Sequence, residues 1–306
     1  MTRLLVTGAS GLLGVNLALL AAQKGYDVIG WTNRERLVNA PFETASVDLT
    51  DFDEIGPHLE AAKPDLIIHC AALTNVDQAE TNGRLSYLLN AEAPGYLASA
   101  AARNGAKLIH ISTDAVFDGS KGDYSEEDMP HPLNTYAHSK LKGEEAIASA
   151  NPDAIIARVV FYGWSIRGNR SLAEFFYNHL SAEQTVNGFT DMFFTPLYVN
   201  HLAGILLEMA EKNLSGLYHV FGSTPISKYA FGVALAREFG LDESLVSPIS
   251  ALEAGLATRR PLNLSMRTDK LSAALGHEIP TGTEGLRALA DALREGLREK
   301  LASLAA

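Results

Sequence analysis

A short strand followed by three regularly spaced glycines opens the chain and most restricts the fold it can adopt. The apolar run Leu4–Thr7 is predicted to be a buried strand, and the stretch VTGASGLLG then places Gly8, Gly11 and Gly14 before a predicted helix over 11–24. A glycine turn between a strand and a helix is the setting of the dinucleotide-binding fingerprint. Because the spacing is G-x-x-G-x-x-G, the turn alone leaves open a bend that holds no ligand.

Each glycine has a separate task if the turn binds a pyrophosphate. Gly8 allows the tight turn, Gly11 lets the backbone approach the phosphates, and Gly14 lets the helix lie close to the strand. The free N–H groups and the dipole of the helix N-terminus then favour the negative charge. We therefore predict a dinucleotide site at this turn, with Ser10, Leu12 and Leu13 among its contacts.

Strands and helices alternate along the first half of the chain. Strands are predicted over 26–31, 42–47, 66–70, 107–112 and 154–160, and helices over 51–62, 91–104 and 135–150. Near-continuous apolar strands separated by helices indicate a parallel sheet covered on both faces. The predicted fold is α/β, a Rossmann-type doubly wound parallel sheet.

The pattern is less regular in the second half. Helices are predicted over 171–181, 198–212, 228–239 and 284–301, and short strands over 216–221 and 245–249. We expect residues 1–160 to form the NAD(P)-binding domain. Residues 161–306 are expected to form mainly a smaller substrate-binding lobe, with some elements returning to the Rossmann sheet.

Composition excludes several classes of function. The net charge of the 306 residues is -11 and no block of Lys or Arg occurs, so no nucleic-acid partner is expected. Cys70 is the single cysteine, which rules out a disulfide within the chain. We expect a cytoplasmic protein without a membrane partner or a metal site, because no membrane-span, signal-peptide or metal-ligand pattern is present.

The residues after the second strand bear on the choice of cofactor. The sequence reads Trp31-Thr32-Asn33-Arg34, without the acidic residue that binds a ribose 2′-hydroxyl in NAD-dependent proteins. Arg34, with Arg36 close by, suits the 2′-phosphate of NADP, whereas Glu35 between them weakens this reading. NADP is predicted as the cofactor, and NAD stays possible.

A tyrosine and a lysine follow one helical turn apart. Tyr136 and Lys140 in NTYAHSKLKGEE share one face of the helix over 135–150. An ammonium near a phenol favours its ionised form, so the pair can act as general acid and base at a carbonyl or alcohol. Thr113 lies at the carboxyl end of the preceding strand, at the sheet edge where ligands bind, and its hydroxyl could bind the same substrate oxygen.

These stretches resemble the extended short-chain dehydrogenase/reductases, and in particular the dTDP-4-dehydrorhamnose reductases. The resemblance covers most of the chain and is carried by VTGASGLLG, HCAALTNVDQAE, LNAEAPGYLA, ISTDAVFDG, YAHSKLKGE, GLYHVFG and RRPLNLSMRTDKL. It implies that the substrate is a nucleotide-linked 4-keto sugar. The amphipathic segment EGLREKLASLAA is predicted to pack on the protein or at a homodimer contact.

The resemblance also assigns roles. Tyr136 would give the proton to the 4-keto oxygen, Lys140 would hold the nicotinamide ribose and lower the tyrosine pKa, and Thr113, helped by Asp114, would orient the keto group. Cofactor contacts are implied for a set of residues spread over the first half of the chain: Gly8, Ser10, Gly11, Leu12, Leu13, Gly14, Asn33, Arg34, Asp48, Leu49, Ala71, Ala72, Leu73 and Asn90, with Tyr136 and Lys140.

Departures from the family pattern concentrate on the substrate side. Ala137 replaces a usual glycine, Ala115 a common tyrosine, and Met192 the glutamine of an Asp-Gln pair, while Met266-Arg267 replaces Leu-Asp. Two other functions are therefore kept as alternatives. One is an epimerase or dehydratase on the same scaffold. The other is a non-catalytic NADP-binding subunit like the regulatory subunit of methionine adenosyltransferase.

Overall fold

The structure, a computed structural model, describes residues 1–254 and 261–305. Its strands are β1 (Arg3–Thr7), β2 (Asp27–Thr32), β3 (Glu43–Ser46), β4 (Leu66–His69), β5 (Lys107–Thr113), β6 (Ile155–Val159), β7 (Phe161–Tyr162), β8 (Val186–Phe189), β9 (Phe193–Phe194), β10 (Leu197–Tyr198), β11 (Gly216–Val220), β12 (Ile226–Ser227), β13 (Val246–Ile249) and β14 (Asn263–Leu264). Arg259 and Arg260, which begin the stretch RRPLNLSMRTDKL, lie outside the described residues.

The α-helices are α1 (Leu12–Gln23), α2 (Phe52–Ala62), α3 (Val76–Thr81), α4 (Gly83–Tyr87), α5 (Ala93–Asn104), α6 (Thr135–Ala150), α7 (Leu172–Ser181), α8 (Val199–Glu211), α9 (Lys228–Phe239), α10 (Asp269–Leu275), α11 (Gly282–Arg294) and α12 (Leu297–Ala302). A π-helical turn, Leu88–Glu92, joins α4 to α5. Within the described ranges, none of the helices combines the length and the apolar character of a membrane span.

A seven-stranded parallel sheet forms the centre of the molecule. Its strand order is β11-β6-β5-β4-β1-β2-β3, and each neighbouring pair runs parallel. The strand order reverses between β1 and β4, which is where ligands bind in doubly wound sheets. The predicted Rossmann-type α/β fold is confirmed.

Successive side chains of each strand point to opposite faces of the sheet and contribute to two separate hydrophobic cores. Leu4 and Val6 of β1 pack on one face with α1 and α8, whereas Leu5 packs on the other face with residues of α2 and α5. This division follows from the two-residue period of a strand. Burial on both faces explains why these strands are apolar without interruption.

Elements of the second half return to the sheet and also form smaller sheets beside it. Strand β11 pairs with β6 at the edge of the main sheet. The remaining short strands form the pairs β10 with β7 and β13 with β8, and the three-stranded set β12-β9-β14. All strands of these small sheets follow β6 in the sequence. Phe193 belongs to β9, and Asp191 lies between β8 and β9.

Most predicted elements occur within a few residues of their expected bounds, and one is wrong. The single helix predicted over 284–301 is two helices, α11 and α12, because Gly296 takes a left-handed conformation with φ 77° that ends α11. The helix predicted from residue 91 begins instead with the π-helical turn. The helices over 135–150 and 228–239 have the predicted bounds.

Candidate active site

A cavity of about 650 Å³ lies at the carboxyl edge of the sheet, around the reversal between β1 and β4. Its volume suits a cofactor or ligand pocket. All but one of the residues predicted for the site line it: Gly8, Ser10, Gly11, Leu12, Leu13, Gly14, Asn33, Arg34, Asp48, Leu49, Ala71, Ala72, Leu73, Thr113, Tyr136 and Lys140. The exception is Asn90.

The glycine turn has the backbone geometry that a phosphate site requires. Gly8 has φ 64°, and a side-chain carbon there would come within 2.8 Å of the Ala71 backbone. At Gly14 such a carbon would overlap the carbonyl oxygen of Gly8. Gly11 forms the N-cap of α1 without a capping side chain, so the N–H groups of the first helical turn are available to an anion.

Asn90 is buried behind the cavity and supports its wall. Its side-chain amide bonds both backbone groups of Leu73, accepting from the N–H at 2.8 Å and donating to the carbonyl at 3.1 Å. It also donates to the Ser139 hydroxyl at 2.9 Å. The side chain thus ties the Leu73 loop to the residue before Lys140, and the structure does not bring it to the cavity itself.

At the predicted adenosine end, an ion-pair cluster reaches across the cleft. Asn33 and Arg34 are exposed at the rim. The Glu35 carboxylate pairs with Arg170 at 2.5 Å and with Arg167 at 3.0 Å, and Arg170 itself lines the cavity. Glu35 is therefore neutralised by residues far away in the sequence, which no local pattern around Arg34 could indicate.

Asp48 is held in a turn at the same end of the cavity. Its carboxylate accepts hydrogen bonds from the backbone N–H of Thr50 at 2.9 Å and from the Thr50 hydroxyl at 2.8 Å. Leu49 between them is buried. This local turn fixes the segment that follows β3 against the cavity.

Thr113 and Tyr136 come from two different elements. Thr113 ends β5, and its hydroxyl accepts from Ala115 N–H at 3.2 Å and donates to the Asp114 carboxylate at 3.1 Å. Tyr136 lies in the first turn of α6, whose N-cap Asn134 accepts from Ala137 N–H. Burial raises the pKa of Tyr136 to about 12, an effect partly offset by a hydrogen bond with Thr113.

Lys140 is 1% exposed, and two hydrogen bonds hold its amine. Nζ lies 3.0 Å from His110 Nε2 and 2.7 Å from the carbonyl oxygen of Ile111. Burial lowers the pKa of Lys140 to about 8, although the Glu144 carboxylate acts in the opposite direction. Burial of the phenol is the largest influence on the pKa of Tyr136 in this arrangement, and a lowering of that pKa by Lys140 stays a prediction.

A buried ion pair holds α6 against the sheet. The Arg158 guanidinium of β6 contacts the Glu144 carboxylate at 2.7 Å, and Ser112 of β5 donates to the same carboxylate at 2.5 Å. All three side chains are buried. The network connects the helix that carries Tyr136 and Lys140 to two strands of the sheet.

Asp114 adds a buried carboxyl group to the cavity. It is 6% exposed, and burial raises its pKa to about 6, while the Thr113 hydroxyl and the positive charge of Lys228 act in the opposite direction. Lys228 begins α9, so the second half of the chain contributes charge beside the cavity. A carboxyl group with a raised pKa in a cleft is typical of a functional site.

Three aromatic residues near Asp191, namely Phe189, Phe193 and Phe194, are not part of the lining of this cavity. Phe194 packs in the hydrophobic core, whereas Phe193 is exposed. Phe189 lies under the Lys228 amine, 6.0 Å from the ring centre. Asp191 accepts hydrogen bonds from the Ser250 hydroxyl and the Ala251 N–H, which fixes the loop after β13.

The strand order, the glycine turn and the cavity at the reversal point define a Rossmann-type α/β protein. The model of the RmlD substrate binding domain family matches residues 1–295, and the chain belongs to this family, which is of the oxidoreductase type.

Two curated relatives show how broad this family is. The chain is 32% identical to the dTDP-4-dehydrorhamnose reductase of Aggregatibacter actinomycetemcomitans over 90% of this chain and 94% of the relative. It is also 33% identical to methionine adenosyltransferase 2 subunit beta of Xenopus laevis, over 98% of this chain and 87% of that protein.

Among solved structures, the dTDP-4-dehydrorhamnose reductase of Bacillus anthracis in complex with NADP superposes with a TM-score of 0.84. The two chains are 28% identical, and the match covers 94% of this chain and 99% of the solved one. The similarity thus extends over both halves of the molecule.

Proposed function

We propose that the protein is an NADPH-dependent reductase of a nucleotide-linked 4-keto sugar, similar to the enzyme of dTDP-rhamnose biosynthesis and of the short-chain dehydrogenase/reductase type. The observation that carries the proposal is that Thr113, Tyr136 and Lys140 line the same cavity as the glycine turn. Relatives named dTDP-4-dehydrorhamnose reductase support the choice of substrate. NAD is the second cofactor that this site could accept.

The residues around the cavity fit a dinucleotide. A side-chain carbon at Gly8 or Gly14 would collide with backbone, and the first-turn N–H groups of α1 are available to the pyrophosphate. Asp48 and Leu49 would flank the adenine, and Ala71, Ala72 and Leu73 would flank the middle of the cofactor. Arg34 and Arg170 bring positive charge to the end where a 2′-phosphate would lie.

The protein's own side chains would supply the proton and position the reactants. When bound, NADPH supplies the hydride that adds to the carbonyl carbon. Tyr136 is protonated at neutral pH, as a phenol with the ordinary pKa of about 10 already is and more so after burial raises the pKa, and it gives that proton to the carbonyl oxygen, which becomes a hydroxyl. Thr113 would orient the carbonyl, and Lys140 would hold the nicotinamide ribose.

The same proposal covers the organisation of the chain. Residues 1–160 would bind the cofactor, and residues 161–306 would mainly bind the sugar nucleotide, while β11 completes the sheet. A cytoplasmic location and a homodimer belong to the proposal as expectations from the sequence.

The relationship to a methionine adenosyltransferase subunit supports a second candidate, a protein that binds NADP without turnover. One assay separates these functions. Purified protein is mixed with dTDP-4-dehydrorhamnose and related nucleotide-4-keto sugars, and the loss of NADPH or NADH absorbance is followed. Loss of one NADPH per sugar supports the reductase. An epimerase or dehydratase changes the sugar without net oxidation of the cofactor, and a binding subunit binds NADPH but leaves every sugar unchanged.

A further inference from the structure

The Lys140 amine is surrounded by groups that restrict the direction of its hydrogen bonds. A lysine ammonium has three N–H donors and no acceptor, so both of its partners must accept. The partners are the carbonyl oxygen of Ile111 at 2.7 Å and Nε2 of His110 at 3.0 Å. His110 can accept only as a neutral imidazole whose proton is on Nδ1. One N–H of Lys140 then remains for the cavity that the residue lines.

His110 is well suited to remain neutral. It is fully buried, and burial, the Lys140 cation and His69 all hold its pKa well below the usual range of histidine. The His69 ring stacks on it with 5.3 Å between ring centres. His69 has a different partner, since its Nδ1 lies 2.7 Å from the Thr7 hydroxyl. Of the two stacked imidazoles, His110 is the one hydrogen-bonded to the lysine.

Packing alone is a poor reason to place a histidine here. His110 Nδ1 is buried and has no hydrogen-bond partner among the described residues. An unpaired buried polar atom is unfavourable, and an apolar side chain of similar volume would avoid that cost. The contact with Lys140 is the interaction that such a replacement would lose.

We propose that His110 is a positioning residue for Lys140: its Nε2 accepts one N–H of the ammonium, Ile111 accepts a second, and the third is directed to the cofactor ribose. The part concerning the ribose rests on the proposed function. The part concerning the ammonium rests on the two distances and on the burial of both side chains. His110 touches neither substrate nor cofactor in this role, since it acts through Lys140.

Other charged or titratable groups lie near Lys140, and their effects on its pKa must be distinguished from the effect of His110. Glu144 lies one turn further along α6, Cys70 follows β4, and His69 faces from β4 beneath His110. Tyr136 precedes Lys140 by one turn. Because His69 and His110 are similar side chains in one stack, a substitution at His69 serves as a matched control for the loss of a buried ring.

The test is a titration of Lys140 by NMR in protein labelled with ¹³C at lysine Cε, with no substrate present. The Lys140 signal is assigned by its disappearance in Lys140→Met. In His110→Leu the ammonium loses an acceptor, so its titration midpoint should fall by about one pH unit or more. His110→Gln places an amide oxygen near the position of Nε2 and should restore most of the midpoint, and His69→Leu should leave it close to that of the parent.

The proposal is wrong if His110→Leu titrates like the parent, or if His69→Leu lowers the midpoint by as much. His110→Met also lacks an acceptor and replaces the leucine variant if that variant does not fold. A second measurement, the NADPH dissociation constant against pH, should show weakening in His110→Leu and recovery in His110→Gln. A protein that oxidises no NADPH with any sugar refutes the proposed function, whereas the NMR midpoints still decide the role of His110.

Discussion

Replacing the buried carboxyl group of Asp114 by the amide of asparagine, which has the same shape, should stabilise the protein. Burial raises the pKa of this group to about 6, from an ordinary value of 3.8. The folded protein therefore binds the proton more tightly than the unfolded chain does. This contribution favours folding below pH 3.8 and is lost as the pH rises through 6.

The magnitude follows from the difference between the two pKa values. At 1.36 kcal/mol per pKa unit, the ionised carboxylate lowers the free energy of unfolding by about 3 kcal/mol at pH 8 relative to a group that stays neutral. Asp114→Asn cannot ionise, and its amide oxygen can still accept from the Thr113 hydroxyl. Its advantage over the parent should be about 3 kcal/mol at pH 8 and about half of that at pH 5.

Urea unfolding of both proteins at pH 5, 6.5 and 8 measures this advantage. Asp191→Asn is the control of opposite sign, because hydrogen bonds from Ala251 N–H and Ser250 lower the pKa of Asp191. That variant should lose stability by about the same amount at all three pH values, because a carboxyl group whose pKa lies below 3.8 is ionised throughout this range in both the folded and the unfolded chain. The reasoning fails if the Asp114→Asn advantage is the same at all three pH values, or if the variant is the less stable protein at pH 8.

Three further perturbations test the glycine turn, the adenosine end and the helix anchor. Gly11→Val should abolish NADPH binding, measured by fluorescence titration, while the circular dichroism spectrum stays like that of the parent; unchanged affinity would remove the pyrophosphate from this turn. Arg34→Ala should raise the dissociation constant of NADPH by about tenfold or more and that of NADH by much less, since only NADPH carries the 2′-phosphate. Equal losses of affinity for the two cofactors would exclude Arg34 from that contact. Arg158→Leu leaves the Glu144 carboxylate buried without its cation and should lower the free energy of unfolding by about 3–5 kcal/mol, and a loss below 1 kcal/mol would contradict the role of this pair.

The elements around the glycine turn and α6 could be predicted because their signals are local. The predicted helix over 11–24 corresponds to α1, which is followed by Gly25 with φ 87°, a residue type that commonly ends helices, and the predicted helix over 135–150 matches α6. The convergence of Thr113 with Tyr136 could also be expected, because Thr113 lies at the carboxyl end of its strand and Tyr136 at the start of the next long helix, which in a doubly wound fold begins at that edge of the sheet. These inferences need only spacing, strand order and residue type.

Other features of the site depend on contacts between parts of the chain that are distant in sequence. Glu35 meets Arg167 and Arg170 because the segment after β7 folds back over the cleft, and nothing near Glu35 in the sequence indicates this. His110 lies in an apolar strand whose sequence does not indicate a functional contact, and its contact with Lys140 depends on how α6 lies on β5. The position of Asn90 depends on a π-helical turn, for which its sequence gave no distinctive signal.

The central claim is that Tyr136 donates the proton in the reduction of a keto sugar. The most direct test is the turnover of Tyr136→Phe with dTDP-4-dehydrorhamnose and NADPH, measured beside the NADPH dissociation constant. The variant keeps the buried ring, so affinity should stay close to that of the parent, while turnover should fall by about 10²–10⁴-fold. Lys140→Met should instead lose both turnover and affinity, because Lys140 is proposed to hold the ribose. A Tyr136→Phe variant that oxidises NADPH with the sugar at the parental rate would contradict the account.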